Sequence, residues 1–495
     1  MTEVRSPETS GPGAPQRLRP GRLGIFAVVS LVVSAAAPLT VAASSGPTNF
    51  RLGGLGGPLA MLICAAVLIC FAMGFTAMSK HVTNAAAFYA YVGRGLGRPA
   101  GLGIAAVTTF AYVVLTASFF GFIGIFTSIG VRTVFGVEVH WTIGALLGWV
   151  LVAFLGRRSA EAGARLLAVL LTAEVAILVL LSVAVLATGG PEPMSAEPYN
   201  PVHLFVPGAA ALFVLGFGAF VGFEGTAIYA EEAKRPERTV PLATYIAVGF
   251  LGIFYSFAFW LYTVAFGTEG VLEAAAQDDF QDMIFAASDS YLGHWAAVVL
   301  SVLVVTSFVA CVMAFHNASA RYLFSLGRDG ALPAVLGRVH PKHGSPANAS
   351  LAVSGIAMVP IVLCAVTGAD PFLVFAMVVY ATGVAAIIFA QAVAGFAVVA
   401  YFVRDRRGHH PWRVIVAPLV GAIGLAIAWV VVVLNFSIIS GLEGVLVNVA
   451  LILPTPLLFL GGVLLARHWR RTKPERFERL AQNLGTSTTH LQQID

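Results

Sequence analysis

The stretch FGAFVGFEGTAIYAEEAKRPERTVPLA, Phe217–Ala243, decides how this chain is read. It begins among glycines and phenylalanines and sets Glu224 inside an apolar run. It ends in a burst of charge at Glu231, Glu232, Lys234, Arg235 and Arg238. Glycines weaken a helix, and a buried carboxyl is costly unless something bonds to it. What those residues are for depends on the sequence around them.

That surrounding sequence is oily. Hydrophobic residues make up 58% of the 495 positions and charged residues only 11%. Mean hydropathy is +0.87. A soluble domain is roughly one quarter charged, so a chain of this composition cannot cover itself with a solvated surface and reads as a polytopic membrane protein. The net charge of +5 comes from scattered basic residues, not from a basic stripe interleaved with aromatics, and nucleic acid is not an expected partner. Cys64, Cys70, Cys311 and Cys364 all lie in apolar stretches without a Cys-x-x-Cys pair, so they read as buried thiols with no disulfide or metal role. No cofactor and no metal site is expected.

A spanning helix needs about 20 mostly apolar residues. Twelve stretches qualify, at about 24–45, 57–77, 101–129, 139–156, 165–188, 206–230, 241–267, 295–324, 350–367, 371–401, 412–436 and 442–466. Residues 1–23, rich in Pro, Gly and Ser, read as a disordered tail. Residues 467–495 form a second polar tail, basic at first, with a helix at the membrane surface as one reading. The basic start, the apolar run and TVAASS (Thr40–Ser45) also fit a signal peptide, although its apolar run is long and its removal would spoil the charge pattern. With twelve spans, all but Arg51 and Arg132 of the 29 Lys and Arg fall on one side. Basic residues collect in cytoplasmic loops, so both termini are expected there. The opposite loop, 268–294, is acidic.

Two spans contain breakers near mid-membrane. Span 1 reads VVSAAAPLTVAASSGP (Val32–Pro47), with Pro38 central, and span 6 reads FVLGFGAFVGFE (Phe213–Glu224), with Gly216, Gly218 and Gly222. Either feature alone also fits an ordinary packing kink. Five helices separate corresponding positions of the two, and an odd number per repeat inverts the second repeat. Paired breaks in two halves point to a binding site whose freed N–H groups suit a carboxylate and whose freed carbonyls suit an ammonium.

Three further stretches carry a resemblance. MSKHVTNAAAFYAYVGRGLGRPAG (Met78–Gly101), GFEGTAIYAEEAKRPERTVPLA (Gly222–Ala243) and HNASARYLFSLGRDGALP (His316–Pro333) resemble the signature segments of the amino acid–polyamine–organocation superfamily of permeases. The resemblance covers nearly the whole chain apart from the tails. It implies an all-α fold of twelve transmembrane helices over 24–466. Repeat one would span about 24–188 and repeat two about 206–401, with discontinuous helices 1 and 6 and two extra helices at 412–466. It implies a secondary transporter of an amino acid or related amine in the plasma membrane, working by alternating access. A polyamine-specific permease and a non-transporting sensor of the same fold are the alternatives.

The resemblance also implies the site. The unwound part of helix 6 maps to Gly216, Phe217, Gly218, Ala219 and Phe220, with Phe217 and Phe220 as gate or side-chain contacts. The helix 1 segment maps to Ala36, Ala37, Pro38, Leu39 and Thr40, where many relatives carry a Gly-Ser-Gly break; a shift to Ser44-Ser45-Gly46 is the other register. Helices 3, 8 and 10 would close the pocket. Glu174, near the middle of span 5, stands where some sodium-independent members carry a lysine, so the lysine mechanism does not transfer. Glu174 and Glu224 are the candidates for coupling to a proton, and each also reads as a hydrogen-bonded structural acid. Glu231 and Glu232 would pair with Lys234, Arg235 and Arg238 at the membrane surface, and His316 and Asn317 would lie at the interface. No Walker A loop, His-Glu-x-x-His or Gly-x-Ser-x-Gly sequence is present, and the loops are too short for a catalytic domain, so no enzyme is expected.

Overall fold

In the computed structural model, residues 24–82, 87–157, 164–228, 233–340 and 345–482 are described. The expected tail at 1–23, the end of the second tail beyond 482, and the expected ion pairs of Glu231 and Glu232 lie outside the described residues.

The chain starts with α1 (Ile25–Ala36) and α2 (Pro38–Thr40), which runs through a π-helical turn, Val41–Ser45, into α3 (Gly46–Gly53). A short turn then leads into α4 (Gly57–Met78). A straight helix over Pro38–Met78 would be about 60 Å long, twice the thickness of a bilayer's hydrocarbon core. It folds back instead. Gly54 has φ 71°, and a Cβ on Gly57 would lie 3.5 Å from the Asn49 side chain, a separation that eight residues of straight helix cannot give.

There follow α5 (Ala87–Gly95), α6 (Arg98–Phe135), α7 (Trp141–Leu155) and α8 (Ala164–Thr188). Next come α9 (Ala209–Ala219), α10 (Gly225–Ile228), α11 (Pro236–Phe266), α12 (Gly270–Ala276), α13 (Met283–Leu292) and α14 (His294–Arg328). The last third holds α15 (Ala347–Thr367), α16 (Val378–Arg404), α17 (Ala417–Leu434), α18 (Phe436–Ser440), α19 (Val445–Ile452), α20 (Pro454–Thr472) and α21 (Pro474–Gln482). Among the described residues, eight helices are long and apolar enough to cross a membrane, or nine if the bent pair α19–α20 counts as one. Two shorter apolar helices, α7 and α9, accompany them. The outside of the bundle is apolar too: Leu147, Val366 and Leu434 are exposed by 64%, 80% and 76%. Water would not tolerate so many exposed aliphatic chains, and lipid does. The chain is a multi-pass membrane protein.

The centre of the bundle is α6, against which α14, α16 and α20 all lie. The approach is close because small residues face each other. A Cβ on Gly462 of α20 would fall 2.6 Å from Gly103 Cα, and one on Gly103 would fall 2.5 Å from the Phe459 carbonyl. Lipid gives no hydrophobic drive for helices to associate, so tight van der Waals contact of this kind holds them.

The second tail is partly built into the bundle. Residues 467–472 extend α20, and α21 turns back onto α5 and α6. Arg98 pairs with Glu478 at 3.0 Å and stacks 5.0 Å from the Phe477 ring. Leu480 is fully buried, and the Tyr89 hydroxyl lies within hydrogen-bonding distance of both the Leu480 carbonyl, at 3.3 Å, and Asp329, at 3.1 Å. At the same basic end, His81 after α4 places its Nε2 3.2 Å from His409 Nε2 beyond α16. Burial lowers the pKa of both rings from the ordinary 6.5, and Arg407 and Lys80 beside His81, and Arg413 and Lys80 beside His409, lower them further. His316 is fully buried and bonded to Ser354 at 3.0 Å. A Cβ on Gly156 would fall 2.5 Å from its ring, so the ring fills a space kept by glycine.

Two outcomes follow. Gly462→Val forces α20 away from α6 and should cost about 1–3 kcal/mol, read as a lower thermal midpoint in detergent. A histidine held neutral by the fold contributes stability above pH 6.5 that is lost as pH falls below it. Between about pH 7.5 and 5 the wild type should therefore lose more thermal stability than His409→Gln; equal losses would remove the histidine pair as the cause.

Candidate functional site

Ala37 begins the site. Its φ 46° and ψ 75° place it in the left-handed region, which costs an alanine roughly 1–2 kcal/mol. Pro38 accounts for the break but not for its hand: the residue before a proline is driven out of the right-handed α conformation, and Pro38 has no N–H to continue the ladder. α1 ends with the Ala37 N–H on the Val33 carbonyl at 3.0 Å. The freed Ala36 carbonyl accepts from the Tyr255 hydroxyl at 3.1 Å, and Ala42, in the π-helical turn, accepts from Tyr262 at 2.9 Å. Tyr255 and Tyr262 stand two turns apart on one face of α11, which is how one helix serves both carbonyls. Hydroxyls on the broken helix bond inward as well, Thr40 to Ala37 at 2.7 Å and Ser44 to Thr40 at 2.8 Å. The backbone therefore breaks at Ala37–Pro38, and Ser44, Ser45 and Gly46 remain within a wound segment.

The break in helix 6 lies one turn beyond its expected position. Gly216, Phe217, Gly218 and Ala219 are helical within α9, and unwinding occupies Phe220–Glu224, where successive i→i+3 turns replace the ladder. The physical reason is a division of labour among glycines. Gly222, at φ 112°, supplies the backbone conformation the turn needs. Gly216 and Gly218 supply room: a Cβ on them would fall 2.7 Å from Cys64 Sγ and 2.2 Å from Tyr380 Oη. Glu224 folds back over the break. Its carboxylate accepts the Gly222 N–H at 3.1 Å and the Tyr112 hydroxyl of α6 at 2.5 Å. Past the break, Thr226 and Thr244 share a hydroxyl hydrogen bond at 2.7 Å, pinning α10 to α11.

The two breaks face one small cavity of about 20 Å³, enough for roughly one water. Ligand pockets run to several hundred Å³, on the order of 300 or more, so the cavity in this arrangement is too small for a ligand of that kind. Of the ten residues expected to contact substrate, Ala36, Thr40 and Gly218 line the cavity. Ala37, Pro38, Leu39, Gly216, Phe217, Ala219 and Phe220 do not; Phe220 is fully buried edge-on to Tyr255. Ser44 and Ser45 complete the helix 1 wall. The opposite wall is aromatic: Phe119 and Phe122 from α6, Phe308 and Phe315 from α14, and Tyr380 from α16. Sequence reasoning had brought the helices here but not these side chains, because a phenylalanine in an apolar helix reads the same in a wall as in a core.

Glu174 sits behind this wall. It is buried and accepts the Ser307 hydroxyl at 2.8 Å, one turn along α14 from the lining residue Cys311. Glu174 and Glu224 are thus separate sites: one carboxyl bonds α8 to α14, the other bonds the helix 6 break to α6.

A family model described as "Amino acid permease" matches residues 23–459. The branched-chain amino acid permease BcaP of Bacillus subtilis is 28% identical over 34% of this chain and 35% of its own length. The low-affinity putrescine importer PlaP of Escherichia coli is 29% identical over 29% of this chain and 31% of its own. An uncharacterized transporter of Mycobacterium tuberculosis is 24% identical over 74% of this chain and 79% of its own. The aligned stretch spans about a third of the length of the first two.

Tyr255→Phe strips the Ala36 carbonyl of its donor while keeping the ring. Leaving that buried carbonyl unpaired should cost about 1–3 kcal/mol, measured as a lower thermal midpoint in detergent. An unchanged midpoint would show that the carbonyl finds another donor.

Proposed function

The chain belongs to the amino acid permease family, and we propose that it is a secondary transporter carrying an amino acid or related amine across the plasma membrane by alternating access. The observation that carries this reading is the meeting of two broken helices, α1–α2 and α9–α10, at one small cavity. A cavity of this size between paired broken helices can take a substrate only if the bundle opens, which alternating access does towards each face in turn. Membership in a permease family supports transport over catalysis.

Counting each broken helix as one crossing and including the shorter α7 gives twelve crossings, with repeat one at about 24–188, repeat two at about 206–401 and two helices beyond. The collection of Lys and Arg on one side supports cytoplasmic termini. Alternating access then rocks a bundle containing the two breaks against the α6–α14 scaffold. The bond from Glu224 to Tyr112 crosses that boundary. The zwitterionic head group of an amino acid suits broken helix ends, whose dipoles favour a carboxylate at the N-terminal side and an ammonium at the C-terminal side; in this arrangement Tyr255, Tyr262 and Glu224 hold the freed groups named above. The putrescine importer among the relatives is the observation favouring an amine instead.

Glu174 is the residue we assign to proton coupling. It is a buried carboxyl with one hydroxyl partner, beside the wall of the cavity. A proton couples transport only if it binds the two arrangements of the bundle with different affinity. A carboxyl whose partner, Ser307, lies on another helix meets that condition if the pair separates on opening. Glu174→Gln keeps the shape of the protonated acid. In proteoliposomes it should retain substrate binding and exchange but lose the acceleration of uptake by an inward proton gradient. Full gradient-driven accumulation by Glu174→Gln would make Glu174 structural and turn the question to Glu224. Gly218→Leu cannot be accommodated against Tyr380 and should abolish substrate binding without loss of expression; unchanged affinity would remove the helix 6 wall from the site.

A further inference from the structure

Taking the cavity as the site of the transporter proposed above, we infer that its substrate is a zwitterionic amino acid with an uncharged, apolar side chain, not a diamine, a basic amino acid or an acidic one. The relatives named above span both branched-chain amino acids and putrescine, and the wall of the cavity chooses between such chemistries.

The cavity has two unlike sides. On the helix 1 side stand the hydroxyls of Thr40, Ser44 and Ser45. On the far side stand rings. Phe119 is the hub, with Phe315 at 5.1 Å, Phe122 at 5.8 Å, Phe308 at 5.9 Å and Tyr380 at 6.2 Å between ring centres. No Asp, Glu, Lys, Arg or His is among the described lining residues. The two buried acids nearby are engaged elsewhere, Glu174 by Ser307 and Glu224 by Tyr112 and the Gly222 N–H.

A substrate held by its head group at the breaks therefore points its other end into the rings. A second ammonium there would lose its hydration and gain no carboxylate, which is the costly way to bury a charge. Aromatic rings can bind a cation, but only across a free face. Here part of that face area is taken up by other rings: Phe122 and Phe308 stack at 5.4 Å with 10° between their planes, and Phe122 meets Tyr380 edge-on at 84°. What the rings offer most readily is contact with aliphatic or aromatic carbon. A second carboxylate fares no better, since the lining has no basic side chain.

The experiment uses the full chain in two formats. In detergent, leucine, phenylalanine, lysine, arginine, putrescine and glutamate are compared for thermal stabilisation. In proteoliposomes, each unlabelled compound competes with labelled leucine, and uptake of labelled putrescine is measured beside it. Leucine or phenylalanine should bind and compete at least about tenfold better than the basic, diamine and acidic compounds. Phe119→Leu should weaken phenylalanine more than alanine while still excluding lysine; should that variant fail to fold, the wild-type series decides alone. Putrescine or lysine matching leucine would overturn the inference and leave the transporter reading standing. Leucine stabilising the protein with no uptake of any compound would sustain the inference and overturn the transporter reading. Stabilisation by none of the six, with no uptake, would overturn both.

Discussion

A backbone amide or carbonyl released inside a membrane protein has to find a partner there, because lipid offers none. This constraint governs the centre of the structure. Two helices stop ladder pairing in mid-bundle, and several of the released groups are met by side chains. Tyr255 and Tyr262 take the carbonyls of helix 1, and the Glu224 carboxylate takes an N–H of helix 6. Thr40 and Ser44 fold their hydroxyls back onto their own helix. The breaks are thus pinned and not loose joints, and the left-handed Ala37 persists because several bonds converge on it.

The same economy explains why so much of the contact is made through glycine. Gly218 lets Tyr380 reach the helix 6 backbone, Gly421 admits the backbone of Phe71, and Gly103 faces Gly462. Each is a place where a side chain would have to be pushed aside. The rings of α6 and α14 then fill the space between the close crossings and form the apolar side of the cavity. Scaffold and pocket wall are one set of residues, so packing and recognition are not separable at Phe119 or Phe308.

The length of the apolar runs, composition and the two breakers made the class of fold and the neighbourhood of the candidate site readable from sequence. Pro38 was decisive because proline acts on its own residue and the one before it, wherever the helix lies. Glycine was not, because it does two jobs that look the same in a sequence. Gly216 and Gly218 drew the reading of the helix 6 break towards them, yet they serve close approach, and Gly222 carries the turn. His316 shows a similar limit: its place near the end of an apolar run says nothing of its packing, and only a neighbour such as Gly156 reveals that the ring fills a buried niche. The aromatic wall stayed hidden because nothing in the pattern separates a ring facing a cavity from a ring facing its neighbours.

The docking of α21 has a consequence for how the molecule is made. Tyr89 lies within hydrogen-bonding distance of the Asp329 side chain and the Leu480 carbonyl, 240 and 391 residues along the chain. At a synthesis rate of about 5–20 residues per second, Tyr89 emerges roughly 20–80 s before Leu480 exists. The corner formed by α5 and the start of α6 is therefore born without its last neighbour. Arg98 and Tyr89 stay open to other partners through most of translation, and the chain completes that corner only when its own far end arrives to cover it.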